Sequence, residues 1–253
     1  MNTKKRIPIG FQLWAVRGEF SRDVGGTLRK LAEMGYQGVE FWDYAGTLQL
    51  YGKYSAAELR KLLDQNGLRC CGIHVKLEAL NAANLRQTIE NSRILGNEYL
   101  TLAGAKECTA DKNQIARLAR LLNKASAACL PHKMIVGYHA HPFDFKKIDG
   151  RFAWELLFEQ LKPKVNMQMD VGNCLAGKGD PLAMLIKFPK RTWTIHLKEH
   201  KDKTFESDYY AEIFQRCEIG SMTRWYIVEV GGVLGKGFRA TRSAIQKLTR
   251  LGK

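Results

Sequence analysis

Eight short β-rich runs, alternating with amphipathic helical stretches, predict an α/β fold: a single (β/α)8 TIM barrel over residues 1–253. The length of 253 residues agrees with an architecture that takes ~250. The alternative, an open doubly wound sheet, wants a Gly-rich dinucleotide turn after its first strand, and Trp14-Ala15-Val16-Arg17-Gly18 is not one.

The first run covers residues 9–14 (Ile-Gly-Phe-Gln-Leu-Trp). A helix over 24–34 puts Leu28 and Leu31 on one face, with Gly35 as its C-terminal cap. The second run is 38–42. Ser55 and Glu58 then make a capping box for a helix that buries Leu59, Leu62 and Leu63 and closes at Gly67. The third run, 69–75, contains His74, and its helix over 83–95 stops at Gly96. The fourth run, 99–103, leads into a long helix over 112–128. The fifth, 134–139, ends on His139 and precedes a short helix at 154–161. The sixth, 165–170, ends on Asp170 and precedes a helix at 182–188. The seventh, 192–197, contains His196 and precedes a helix at 210–217. The eighth, 225–230, contains Glu229, and a last helix covers 241–251.

Hydrophobic residues at 45% and charged residues at 26% exclude a disordered or collagen-like chain. No run of eighteen apolar residues spans a membrane. The basic start is followed by residues 7–12, too short and too polar for a signal h-region, so a cytoplasmic protein is expected, or a periplasmic one if a signal was removed. Forty Lys and Arg against 25 Asp and Glu give a net charge of +15. These cations are scattered over the expected helices (Arg29, Lys30, Arg60, Lys61, Arg117, Arg120) with no basic block interleaved with aromatics. They read as a solvated surface, and no nucleic-acid partner is expected. The six cysteines have no C-x-x-C pair and read as small buried hydrophobes.

The chemistry sits near the C-terminal ends of the runs, the face on which barrels build active sites. His139, Asp170, His196 and Glu229 recur at intervals of 31, 26 and 33 residues. A βα unit takes ~30 residues, so these four would project from similar heights of adjacent strands. Two imidazoles and two carboxylates converging there suit a divalent metal ion: Mn, Mg, Zn or Co. Glu40 and His74 occupy the same level and are expected to bond substrate hydroxyls. His141, Lys198 and Glu199 are expected to contact substrate oxygens, and Trp14, with Trp42 and Phe143, to wall the pocket.

Several segments resemble the xylose-isomerase-like sugar (phosphate) isomerase/epimerase barrels. These are Tyr36-Gln37-Gly38-Val39-Glu40, the stretch from Val136 to Phe145 around His139-Ala140-His141, Met169-Asp170-Val171-Gly172-Asn173, His196-Leu197-Lys198-Glu199, and Trp225-Tyr226-Ile227-Val228-Glu229. The resemblance implies a metal held by a Glu, an Asp, a His and a second Glu, of which Asp170, His196 and Glu229 match the last three. The first position departs from the family, because His139 stands where many relatives have Glu. Epimerases of this kind use the two Glu as acid and base on opposite faces of the substrate carbon, and here only Glu229 remains of that pair. The catalytic expectation is therefore Glu229 or His139 removing the proton next to a carbonyl, through an enediolate that the metal stabilises.

The resemblance implies a metal-dependent isomerase or epimerase acting on a small-molecule carbohydrate, and it leaves homo-oligomerisation open. A sugar or cyclitol dehydratase, or a keto-sugar lyase, shares the first proton abstraction. A barrel that binds a sugar without catalysis is a further alternative. An abasic-site endonuclease has the same fold but needs a zinc cluster with more histidines than this chain provides.

Overall fold

The computed structural model describes residues 6–51, 53–219, 222–231 and 237–253. Among these residues eight parallel strands form one sheet: β1 (Ile9–Gln12), β2 (Gly38–Tyr44), β3 (Arg69–Val75), β4 (Tyr99–Leu102), β5 (Ile135–His139), β6 (Asn166–Gln168), β7 (Thr194–Leu197) and β8 (Trp225–Val228). Their hydrogen-bonded order is β6-β5-β4-β3-β2-β1-β8-β7. The circle closes between β6 and β7. There His196 N–H donates to Met169 O at 2.8 Å and Met167 N–H donates to Arg191 O at 2.7 Å. The expected barrel is the observed one.

Between the strands run α1 (Val24–Glu33), α2 (Ala56–Gln65), α3 (Leu85–Leu95), α4 (Lys112–Cys129), α5 (Ala153–Phe158), α6 (Pro181–Lys187), α7 (Asp208–Glu218) and α8 (Gly237–Arg250). Side-chain caps fix several of their starts. Asp23, Asp111 and Asp180 accept from the N–H of Gly26, Gln114 and Ala183, and the Ser55–Glu58 capping box opens α2.

Two departures from the expected boundaries matter for the site. β1 ends at Gln12 rather than 14, because Gln12 Oε1 accepts from Trp14 N–H at 3.0 Å and turns the chain into a 3-10 turn, Leu13–Val16. That turn leaves Trp14 46% exposed at the barrel rim. A helix at Val171–Ala176, not expected from its sequence, follows β6 directly and is capped by Asp170.

The pleat sorts the strand residues into two sets. Phe11, Val39, Phe41, Leu100, Val136, Met167 and Val228 belong to the large buried core with the helices. Other strand residues fill the barrel interior in two tiers. At the N-terminal end Cys71, Tyr99, Trp193, Trp225 and Ile227 form a separate apolar plug. Towards the C-terminal end the buried residues turn polar: Gln12, Glu40, His74, His139, Gln168 and His196. Glycines make room for the bulky members of each tier. A Cβ on Gly38 would lie 2.9 Å from the Trp225 ring, and one on Gly72 would lie 2.6 Å from Glu40 Oε1.

The six cysteines are free, with Cys108 half-buried and the other five buried, in line with their reading as hydrophobes. Among the described residues no helix is long and apolar enough to cross a membrane.

Candidate metal centre at the C-terminal mouth

Each of the four residues expected as ligands reaches the same place from a different strand end. His139 closes β5, Asp170 follows β6, His196 lies on β7 and Glu229 follows β8. One donor atom from each of the four lies within 4.8 Å of the others. His196 Nδ1 is 2.8 Å from Glu229 Oε2 and 3.9 Å from Asp170 Oδ2, and His139 Nε2 is 3.8 Å from Glu229 Oε2.

Hydrogen bonds beneath the four fix which atoms face inward. Gln168 Nε2 donates to Glu40 Oε1 at 2.8 Å and to Thr194 Oγ1 at 2.9 Å. Its Oε1 is therefore the acceptor for His139 Nδ1 at 3.0 Å and His74 Nε2 at 2.7 Å. With Nδ1 protonated, a neutral His139 presents a bare Nε2 to the cluster. Burial, reinforced by the neighbouring imidazoles His196 and His74, pushes its pKa well below the ordinary value and keeps the ring neutral. His196 Nε2 donates to Glu40 Oε2 at 2.7 Å, which leaves Nδ1 facing Glu229 and Asp170. This carboxylate–imidazole pair is the arrangement that orients metal-ligating histidines.

Asp170 is divided between two tasks. Its Oδ1 accepts from Asn173 N–H at 2.6 Å as the helix cap, while Oδ2 is buried without a hydrogen-bond partner. Burial, together with the nearby Glu229 charge, raises the Asp170 carboxyl to about 7. Glu229 behaves oppositely. Burial would raise its pKa, but His196 and Lys198 outweigh that and hold it well below the usual carboxylate range. For His196, burial lowers the pKa, and the Glu40 and Glu229 carboxylates overcome it to push the ring up to about 10. An orphaned, reluctantly ionised carboxylate oxygen beside a bare imidazole nitrogen and a carboxylate is a donor set that a divalent cation fits. Such a cation would replace the His196 Nδ1 proton as the positive charge of the cluster.

A cavity of about 390 Å³ opens above the four residues. Trp14 and Trp42 wall one side with ring centroids 6.4 Å apart, edge to face. Lys198 and His141 line it as well. Lys198 Nζ donates to Glu229 Oε1 at 2.8 Å and to Asn173 Oδ1 at 2.9 Å. Gly172 makes room for this lysine, since a Cβ there would stand 2.7 Å from Lys198 Cγ. His141 has a buried, unpartnered Nδ1, and burial pushes its pKa down to about 4. Its ring stacks on Phe143 at 5.0 Å, so Phe143 backs His141 rather than walling the cavity.

Two expected substrate contacts are placed elsewhere. Glu40 is wholly buried beneath the cavity, bonded to Gln12, Gln168 and His196, where it orients His196. Glu199 points away from the mouth: its carboxylate accepts from Phe205 N–H at 2.8 Å and pairs with Lys247 of α8 at 2.9 Å. His74 lines the cavity floor, but Gln12 and Gln168 occupy both ring nitrogens. The sequence reading missed Gln12, Gln168 and Asn173. A period-2 count back from Asp170 reaches Gln168, and Gln12 pairs in register with Glu40.

The family of xylose isomerase-like TIM barrels matches residues 28–246. Comparison with curated protein sequences gives no match. Among solved structures, a sugar phosphate isomerase/epimerase from Parabacteroides distasonis superposes with a TM-score of 0.83 at 19% identity, over 98% of this chain and 97% of that one. A 3-keto-D-glucoside 4-epimerase from E. coli gives 0.66 at 13% identity, over 97% and 100%. A probable 3-DHS dehydratase from Bacillus anthracis gives 0.65 at 14% identity, over 96% and 99%. At these identities the likeness extends to the fold.

Proposed function

Because the chain belongs to the family of xylose isomerase-like TIM barrels, we propose that it is a metal-dependent isomerase or epimerase. Its proposed substrate is a small carbohydrate carrying a carbonyl, and the reaction is proton transfer at the adjacent carbon. The observation that carries this reading is the four-residue donor cluster, with its orphaned Asp170 oxygen, at the floor of a cavity walled by tryptophans. His139 Nε2, Asp170 Oδ2, His196 Nδ1 and Glu229 would hold the ion. When bound, a divalent cation supplies polarisation of a carbonyl and stabilises negative charge on its oxygen.

The chain's own groups do the rest. Trp14 and Trp42 offer apolar faces to the C–H surface of a sugar ring. Lys198, held by Asn173, presents a cation where an oxyanion develops. Glu229 lines the cavity as an ionised carboxylate, its Oε1 accepting from Lys198 and its Oε2 from His196, and it is one candidate base for the proton next to the carbonyl. His139, neutral and lacking a proton on Nε2, is the other candidate base.

One observation favours a second reading, a dehydratase or keto-sugar lyase. Apart from the Asp170 ligand, Glu229 is the single carboxylate of the cluster, so the paired carboxylates of two-face epimerisation are absent from these positions. In a one-base elimination the proton taken from the carbon next to the carbonyl is returned by the same base to the neighbouring hydroxyl, which leaves as water, so no second carboxylate is needed.

The test is direct. The protein is freed of metal with a chelator and titrated with Mn, Mg, Co and Zn salts, following bound metal and melting temperature. It is then incubated with keto- and aldo-sugars in D2O. Saturable binding of one ion per chain, with metal-dependent deuterium uptake next to the carbonyl, is expected. Absence of both would sink the catalytic reading, and alkene or dicarbonyl product would select the lyase.

A further inference from the structure

The opposite, N-terminal end of the barrel holds a second cavity, of about 540 Å³, larger than the one above the metal cluster. Its charged lining is Arg6, Arg60, Arg69, Arg224 and a single carboxylate, Glu98. The floor is the apolar plug, presented by Trp225 and Tyr99. Four arginines far apart in the sequence therefore converge here: residues from α2, the start of β3 and the segments before β1 and β8 meet only in the folded chain.

The arginines are held in place from behind. The Arg69 guanidinium lies over the Trp225 ring at 4.5 Å, an arrangement that fixes its plane and leaves its edge donors exposed. Arg60 Nε donates to both Asp64 oxygens at 2.8 and 2.9 Å, which anchors that side chain at its base. Its Nη1 lies over Gly96, where a Cβ would stand 2.5 Å away. Gly96 has a φ of +69°, so glycine both shapes the helix end and clears the arginine's path. Arg6 Nη2 donates to the main-chain oxygen of Lys253 at 3.1 Å. Among the described residues, no ion pair involves Arg6, Arg69, Arg224 or Glu98. Three arginines without an ion pair among the described residues and a fourth, Arg60, paired with Asp64, against one lining carboxylate and around a concave apolar floor, form a site for an anion with an organic part. Guanidinium forks match the oxygens of a phosphate group, and the Trp225–Tyr99 floor suits what the phosphate is attached to.

We propose that the N-terminal mouth binds a phosphate-bearing small molecule, at a site separate from the metal centre. β3 runs from Arg69 in this cavity to His74 at the other mouth, and β8 from Trp225 towards Glu229. At about 3.3 Å per residue the two sites lie roughly 15 Å apart along the same strands. The inference is independent of the proposed reaction.

Calorimetric titration of the purified protein with inorganic phosphate, ribose 5-phosphate and ribose tests it. Saturable binding of at least one phosphate species, weakening as salt is raised, is expected, with none for ribose. A phosphate ester at least tenfold tighter than inorganic phosphate identifies an ester as the occupant, and equal affinities identify free phosphate. The double variant Arg69→Gln/Arg224→Gln should weaken binding at least tenfold. Asp170→Asn, at the far mouth, should leave it unchanged. If the double variant does not fold, Arg60→Gln, on an exposed helix face, gives an independent reading with an expected loss of about threefold or more. No saturable binding, binding indifferent to the arginine variants, or binding lost in Asp170→Asn overturns the proposal.

Discussion

The same strands bear opposite chemistry at their two ends, and the two ends solve the problem of charge differently. At the C-terminal mouth Glu40, Asp170 and His196 are fully buried and hydrogen-bonded, with Asp170 Oδ2 and His141 Nδ1 left without a partner. At the N-terminal mouth the arginines are solvent-exposed, steadied by a ring, an aspartate and a main-chain oxygen. Burying a charge away from water is costly unless it is hydrogen-bonded and paired, so the C-terminal tier has to be a closed network. Guanidinium groups keep water, so the N-terminal rim needs only positioning. A closed network is fragile to single changes and a rim is tolerant of them, and the expected mutational effects follow that order.

The largest effect is expected at the candidate metal cluster. Asp170→Asn keeps the cap acceptor but removes the ionisable oxygen, and should weaken binding of a divalent ion by about 100-fold or more, ~2.8 kcal/mol. Metal titration followed by melting temperature reads it, and an unchanged affinity would remove Asp170 from the ligand set. Glu40→Gln, at a residue outside the four proposed ligands but bonded to His196, should cost about 10- to 100-fold through the orientation of that ring. If Glu40→Gln leaves metal affinity intact but raises a sugar KM, the original expectation of a substrate contact returns.

Next come the glycines that admit each tier. Gly72→Ala places a methyl 2.6 Å from Glu40 Oε1 inside the closed network. It should destabilise by about 1–3 kcal/mol in denaturant unfolding, as overpacking does in a filled core. A neutral outcome would mean that the network can shift.

The pH dependence sharpens the contrast further. Asp170 is raised to about 7 in the folded protein, and the buried Asp144, beneath Tyr138, is raised likewise to about 7. Below the ordinary carboxylate range both states bind these protons equally. Between that range and about pH 7 the folded state binds more, so the stability contributed by the protonated Asp170 is lost as pH rises through the window. Asp170→Asn should lessen that loss relative to wild type, leaving the shares of Asp144 and of the shifted imidazoles His139, His141 and His196, and saturating divalent metal should lessen it too, because the ion favours the ionised carboxylate. Unfolding free energies at pH 5 and pH 7.5 measure this, and identical pH slopes for wild type and variant would count against the buried-acid account. The smallest effect belongs to the rim. Arg60→Gln removes an exposed pair with Asp64 and should change stability by about 0.5 kcal/mol at most.

The fold was legible because each βα unit carries its own local signals. Leu28 and Leu31 with Gly35, the Ser55–Glu58 box, and the β-branched runs through Val39, Ile73 and Val136 each act over one unit. The cluster was legible in part for the same reason, since a period of about one βα unit brings His139, Asp170, His196 and Glu229 to one level. Gln12 and Gln168 were not, because an amide on a strand has no distinctive spacing, and their role depends on which neighbour they meet across the barrel. Glu199 misled because its distance from the strand end places it near the mouth, and only its pairing with Lys247 on α8 turns it outward.

The sequence by itself determined the eight strands, the alternation with helices that closes them into a barrel, and the ligand-type residues at the strand ends, because those follow from short-range periodicity. The tertiary structure alone decided the tautomer of His139, the charge of His196, the burial of Glu40 against His196, and the gathering of Arg6, Arg60, Arg69 and Arg224 at one mouth. Those outcomes rest on contacts between residues far apart in the chain, whose electrostatics exist only once the barrel has closed.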